Sequence, residues 1–347
     1  MAYYPSLRDY KSKTERVRII DNILRLKASV NAQVPAKDLD SNLLIATWNI
    51  REFGKNAKAT RLKETLFYMA EIISAFDLVA VQEVGDDMSD LQNLMKIMGR
   101  EWDYIITDVT EGASGNGERL AFVFDTRKVF FRKMAGEIVL PDPKGASAKQ
   151  IARSPFIVAF QSGWFKFYIT TVHIYYGKDG VNTPEFKRRV EEIGSVASFL
   201  KKRSGKETAN YLLLGDFNIT GTDKKDPTMA ALLKAGFKIP ASLVTLSNAN
   251  TNTDRTKPYD QIAYIDQEGF MEFASDEKSV GVLDFYQDVF RKEDETVYKA
   301  EMSKSKLKTF KEWKTYQMSD HLPLWIEFKV DFSENYLNKL KKEEYSK

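Results

Sequence analysis

Short, strongly apolar runs recur along the chain at 43–48, 78–81, 120–124, 156–160, 165–172, 211–214, 261–265 and 322–328. Val, Ile, Phe, Tyr and Thr fill them. These side chains suit a pleated, half-buried backbone, so each run predicts a strand. Stretches with apolar residues at helical spacing interleave at 61–75, 88–98, 184–203 and 227–235. Pro184 stands near the start of its stretch, where the missing N–H costs nothing. Residues 14–31 carry Val17, Ile20, Ile23, Leu24 and Leu26 among Arg and Lys, which predicts a short amphipathic helix packed on the main domain. The alternation as a whole predicts a mixed α/β domain with large sheets covered by helices.

The same pattern divides the chain into a helical extension and linker at 1–40, a main domain at 41–330 and a charged tail at 331–347. Residues 266–318 make a variable insert within the domain, longer than a compact core needs. Its 299–314 stretch holds six Lys and two Glu. Such a run ordinarily forms a solvated helix face or loop. The functional alternative is a basic lip touching phosphates outside the site. No internal repeat or low-complexity tract is visible.

Charge sharpens the picture only a little. Fifty-two basic and 49 acidic side chains leave a net +3, so any basic surface is local. Cysteine is absent, which excludes disulfides, thiolate catalysis and Cys-ligated metals. Neither a leader-like apolar stretch nor a membrane-length run is present. A cytoplasmic location is expected, with a mature secreted form left open.

Candidate chemistry sits at the strand ends. Only two histidines occur, His173 after the 165–172 run and His321 just before the last strand. Histidine is the side chain most readily used as acid or base near neutral pH. Asn49, Glu83, Asp216 and Asn218 follow strand-forming runs, and Asp320 precedes one. Oxygen-rich groups such as Asn49, Glu83 and Asp320 suit hard cations, Mg²⁺ above all, with Mn²⁺ or Ca²⁺ as alternatives. Scarce His and absent Cys argue against zinc. Alternate spacing turns Asp216 and Asn218 to one side of an extended chain.

The motifs Trp48-Asn49-Ile50-Arg51, Gln82-Glu83-Val84, Glu118-Arg119, Arg153-Ser154-Pro155, Thr171-Val172-His173, Gly215-Asp216-Phe217-Asn218, Tyr259-Asp260-Gln261-Ile262 and Ser319-Asp320-His321 occur in this order over about residues 43–328. In them the chain resembles the endonuclease/exonuclease/phosphatase superfamily, the DNase I-like fold. Residues 49–54 and 153–155 look nearest to the deoxyribonuclease I branch. The resemblance implies a four-layer α/β/β/α sandwich of two mostly antiparallel sheets flanked by helices, and a Mg²⁺-dependent phosphoesterase. By motif, Glu83 would be the main metal ligand, with Asn49 and Asp320 nearby. Asp216 would be a second ligand, or would orient or deprotonate the attacking water. Asn218 would bond the phosphate or the nucleophile. Asp260 would hold His321, Glu118 would hold His173, and Arg153 and Arg51 would contact phosphate. The base remains open among His321, His173 and Asp216; the assignment preferred gives His321 and Asp216 to the water and His173 to the phosphate or leaving group.

Departures from the deoxyribonuclease I pattern also count. Asn116 stands where that pattern has a groove-packing aromatic, and Gly85 where it has a DNA-contacting arginine. The leading expectation is a nuclease or phosphodiesterase acting on nucleic acid, DNA before RNA. The alternative is an enzyme for a small or lipid-linked phosphate of phosphoinositide or sphingomyelin type, and a non-catalytic scaffold ranks last. Fold and catalytic residues do not themselves set the substrate.

Overall fold

The computed structural model describes residues 2–54, 58–110, 116–140, 150–207, 209–266, 271–274 and 279–345. Residues 113–115 of the loop before Gly117 and parts of the 266–318 insert lie outside them. The chain begins with α1 (Lys13–Gln33), β1 (Asn42–Phe53), α2 (Lys63–Ser74), β2 (Leu78–Val84), α3 (Ser89–Met98), β3 (Trp102–Ile106) and β4 (Arg119–Asp125). It continues with β5 (Phe130–Glu137), β6 (Phe156–Ser162), β7 (Phe165–His173), α4 (Pro184–Ser204), β8 (Asn210–Asp216), α5 (Pro227–Lys234), α6 (Ala241–Thr245) and β9 (Asp260–Ile265). It ends with β10 (Glu272–Phe273), β11 (Val280–Val282), α7 (Glu295–Met302), α8 (Phe310–Gln317), β12 (Leu324–Lys329) and α9 (Ser333–Tyr345).

The strands form two sheets. One has the order β10-β12-β1-β2-β4-β3, with β11 also on β12; the other runs β5-β6-β7-β8-β9. Both are antiparallel except for one central parallel pair each, β1–β2 and β7–β8. Leu43, Ile45, Leu78, Phe122, Phe160, Phe167, Leu212, Leu214 and Ile326 fill the space between the sheets. Helices α1 to α3 and the 283–318 aromatics cover the outside of the first sheet through Ile23, Phe67, Leu91, Phe290 and Trp313. Helices α4 and α5 cover the second through Ile193, Leu200 and Leu232. The result is the α/β/β/α layering.

Two details differ from the sequence reading. Helix α1 buries Ile19, Ile23, Leu26 and Val30, while Val17, Ile20 and Leu24 face outward. A run at i, i+4, i+7 and i+11 follows the 3.6-residue period, and that is the stripe which meets the sheet-covering α2. The apolar 283–290 segment and the Lys-containing 299–314 stretch belong to the helical layer: Phe285, Tyr298, Phe310, Trp313 and Tyr316 are buried there.

Each sheet repeats one unit, a strand, a crossover helix, a parallel strand and an antiparallel partner on either side. Consequently the C-terminal ends of β1, β2, β7 and β8 and the entries to β4, β6, β9 and β12 lie at one end of the sandwich. Asn49, Glu83, His173 and Asp216 leave the first set; Glu118, Arg153, Asp260 and His321 stand at or just before the second. Glu83 needs a special backbone. Leu78 and Ala80 face the inter-sheet core, whereas Val79 and Val81 face the helices, so strict alternation would aim Glu83 at the helices. Its φ of 63° and the register shift between Val81 and Val84 make a bulge that turns it inward.

Gly215 is required by the parallel pairing. Its φ is +134°, and a Cβ there would lie 2.2 Å from Val172 O on β7. Gly215→Ala should destabilise the protein by roughly 1–3 kcal/mol, the scale of local backbone strain, read from urea unfolding. Because Val172↔Gly215 and His173↔Asp216 are adjacent in register, activity should fall as well; unchanged stability would show that the strands are not held in this register.

Candidate active site

Two imidazole–carboxylate pairs face each other across the mouth of the inter-sheet core. His173 Nδ1 lies 2.9 Å from Glu118 Oε2, and Arg153 Nε reaches the same oxygen at 2.6 Å. His321 Nδ1 lies 2.8 Å from Asp260 Oδ2, with Asp260 fully buried at the first position of β9. His321 Nδ1 is hydrogen-bonded and His173 Nδ1 is in ion-pair contact, and both Nε2 atoms turn to Asp216 Oδ2, at 3.5 Å from His173 and 3.7 Å from His321. A carboxylate behind each imidazole fixes its tautomer and orientation.

Asn49 and Glu83 complete the centre. The Asn49 amide donates to Glu83 Oε1 (3.1 Å) and to Asp216 Oδ2 (3.0 Å). The Glu52 N–H donates to the other Glu83 oxygen at 2.9 Å. Asn49 Oδ1 is buried and accepts no hydrogen bond. A buried carbonyl-type oxygen without a donor, beside Glu83, fits a hard cation. A family-type divalent cation would therefore find oxygen ligands here. Asp216, Asp260 and His321 also place ligand atoms within 4.8 Å of one another, a second group of metal-ligand type.

The remaining expected residues are placed differently. Asp320 Oδ2 pairs with Arg51 Nη1 at 3.3 Å. Arg51, expected at substrate phosphate, also donates to Thr315 Oγ1 (2.7 Å) and Tyr316 Oη (2.9 Å) and lies over the Tyr316 ring. Arg153, expected there too, is buried against Glu118 and donates to His173 O. Asn218 sits at φ 53°, its N–H on Asp216 Oδ1 and its amide on Ile174 O, so it braces the ends of β7 and β8.

Electrostatics follow from burial. Burial alone would lower His321, but Asp260, Asp216 and Asp320 hold it well above the ordinary histidine range. Burial also resists charge on Asp260; the shared proton belongs on the imidazole because Asp216 adds negative charge on that side. Glu83 is pushed up by burial, with His173 opposing and Glu118 and Asp320 adding to the shift.

Several contributors carried no sequence signal beyond membership of a motif. Gln82 donates to Thr47 Oγ1 (3.1 Å) and Thr171 Oγ1 (2.8 Å), joining the two sheets directly beneath the site. Ser319 Oγ donates to Asn49 O (2.6 Å) and accepts from His321 N (2.9 Å). Arg189, fully buried on α4, donates to Asn218 O and Tyr176 O. Tyr259 lies against the His321 ring at 5.5 Å, with Tyr176 edge-on beyond it at 6.3 Å. Arg189 and Tyr176 could not be found from sequence, since nothing local marks them.

The site thus combines two carboxylate-backed imidazoles with an oxygen cluster at one end of a two-sheet sandwich. Residues 46–261 match the sequence pattern of the Endonuclease/Exonuclease/phosphatase family, and the chain belongs to that family, whose members are metal-dependent hydrolases. The match ends before Asp320 and His321, which β12 returns to the site. No curated protein matches the sequence. Among solved structures, the human nocturnin catalytic domain with bound sulfate is similar at TM-score 0.54 and 14% identity, covering 84% of this chain and 96% of that one. A mannosyl-6-phosphatase from Bacteroides thetaiotaomicron is similar at TM-score 0.50 and 18% identity, covering 82% and 99%. D. rerio TDP2 complexed with single-strand DNA product is similar at TM-score 0.50 and 16% identity, covering 83% and 99%. At these identities the likeness shows the fold. No helix among the described residues is long and apolar enough to cross a membrane.

The pKa shifts of Glu83 and His321 have one sign. A group raised in the folded state contributes stability that is complete below its unfolded pKa and lost as pH rises through the folded value. Metal-free protein should therefore lose stability with rising pH, from about 4.3 upward for Glu83 and from about 6.5 upward for His321. Thermal melts across this range check it, with Asp260→Asn expected to reduce the His321 part. Parallel curves for wild type and variant would contradict the assignment.

Proposed function

We propose that the chain is a divalent-metal-dependent phosphodiesterase that cleaves nucleic-acid phosphodiester bonds, DNA before RNA, by in-line attack of water. The observation that carries the chemistry is the convergence of both Nε2 atoms on Asp216 Oδ2. Tyr259 and the exposed Tyr176 beside His321 favour a ring-bearing substrate, since aromatic faces stack on any nucleobase. The motif likeness to the deoxyribonuclease I branch supports the same reading. A cytoplasmic location remains part of this proposal, as does the division into an extension at 1–40, a catalytic domain at 41–330 and a tail at 331–347.

Glu83 and Asn49 would hold the cation, with Asp320 reaching it if released from Arg51, and Asp216 is a further oxygen on the other side of Asn49. Mg²⁺ is the ion this all-oxygen set suits best. Such an ion, when bound, offsets charge gathering on the phosphoryl oxygens. Asp216 orients the attacking water and takes its proton. His321, kept protonated by Asp260 and Asp216, donates hydrogen-bond density to the phosphoryl oxygens. His173, fixed by Glu118 and Arg153, directs Nε2 at the same place and serves the leaving oxygen. This division moves His321 from the water to the phosphate, because a held imidazolium is an acid and a poor base.

Turnover should require Mg²⁺ and stop with EDTA on single-stranded and duplex DNA, RNA and bis-p-nitrophenyl phosphate, with phosphoinositides as the competing class. His321→Ala, Asp216→Ala and Glu83→Ala should each lower kcat by about 10²–10⁴-fold while remaining folded, with a lowered melting temperature where a buried partner is left uncompensated. Affinity for an oligonucleotide should fall steeply with salt. Turnover confined to phosphoinositides would replace the nucleic-acid reading, and wild-type rates in any two variants would overturn the site.

A further inference from the structure

Arg61, just ahead of α2, is buried although it bears a charge. Its guanidinium points back under the site rather than outward. Nη2 donates to Arg51 O (2.8 Å) and Glu52 O (3.3 Å), at the C-terminal end of β1 beyond Asn49. Nη1 donates to Gln317 O and to Met318 O, immediately before Ser319-Asp320-His321. Nε pairs with Asp90 of α3 at 3.1 Å, which neutralises the charge. The flanking residues add stitches between the same segments: Leu62 N donates to Gln317 Oε1 (2.8 Å), and Gln317 Nε2 to Thr60 O (3.1 Å).

The two segments joined in this way each carry part of the site. Glu52, whose carbonyl Arg61 holds, sits at φ 45° and donates its N–H to Glu83. Met318, whose carbonyl it also holds, leads into Ser319, which bonds both Asn49 O and His321 N. A planar fork with fixed donor directions can satisfy carbonyls at the end of a strand and at the end of a helix at once, which a lysine cannot. We propose that Arg61 is a positioning residue for catalysis, a clamp that sets the spacing of Glu83 and His321 by tying the C-terminal end of β1 to the end of α8, from which the chain passes through Ser319-Asp320-His321 into β12. The catalytic half of this inference rests on the phosphoesterase reading of the site.

The two histidines of the chain let the idea be tested site by site. With ¹⁵N-histidine labelling, the Nδ1–H signals of His321 and His173 report the two halves separately. Arg61→Lys and Arg61→Met should shift or broaden the His321 signal more than that of His173, whose Nδ1 faces Glu118 and whose Nε2 lies 3.9 Å from Glu83. With Mg²⁺ and bis-p-nitrophenyl phosphate, kcat should fall roughly 10–100-fold, the scale of a misplacement near 1 Å, and KM should change less than about threefold. An unchanged His321 signal in both variants overturns the inference. Loss of both histidine signals together also overturns it, by making Arg61 a general stabilising residue. If Arg61→Met does not fold, Arg61→Lys decides. If wild-type protein turns over no phosphoester, the proposed function fails, and an undisturbed or disturbed His321 signal still decides the clamp.

Discussion

Charge buried between two β-sheets survives only where each group has a partner, and the whole functional end of this protein is arranged around that requirement. Glu118 lies between His173 and Arg153, Asp260 against His321, and Asp216 between both rings and the Asn49 amide. Removing one member of such a group leaves another uncompensated in a low-dielectric setting, which costs more than the pair itself contributes. Paired in this way, the side chains have one arrangement, and that fixed arrangement is what chemistry on a phosphoryl group needs.

The doubled topology supplies the groups from both sheets in similar numbers. The first sheet delivers Asn49, Glu83, Glu118 and His321, the second His173, Asp216, Asp260 and Arg153. Neither sheet alone has a complete imidazole–carboxylate pair, because Glu118 and His173, like Asp260 and His321, come from opposite sheets. The Thr47–Gln82–Thr171 bridge fixes the distance between them just where the apolar core gives way to polar groups. Docking of the sheets and assembly of the site are therefore one event.

Much of this was legible in the sequence, for physical reasons. The central strands are buried on both faces and so read as unbroken apolar runs; the polar residue that ends each run marks the rim of the sandwich, where Asn49, Asp216 and His321 stand. The edge strand β9 was legible, but β3, β5, β10 and β11 were not. β5 is largely exposed, and β10 and β11 are two and three residues long, so neither offers a pattern. The outward face of α1 also carries Val17, Ile20 and Leu24, which blurred its true stripe. Glu83 was legible as a ligand type but not as an inward-facing one, since only the bulge re-aims it. The carboxylate partners of Arg51 and Arg153, Asp320 and Glu118, are distant in sequence and no local pattern shows them. Arg61 at a helix start reads as a solvated charge for the same reason.

The strand that brings His321 home is β12, and it lies directly beside β1, with Asn42 opposite Lys329. Nearly the whole domain is made between these neighbours. Chains are synthesised from the N-terminus, and contacts so distant in sequence form late. A nascent chain can already contain Asn49, Glu83, His173 and Asp216, yet β1 still has an open edge and Asp260 has no imidazole. The candidate site is thus complete only when β12 closes the sheet, and a chain cut before His321 has one imidazole of its two.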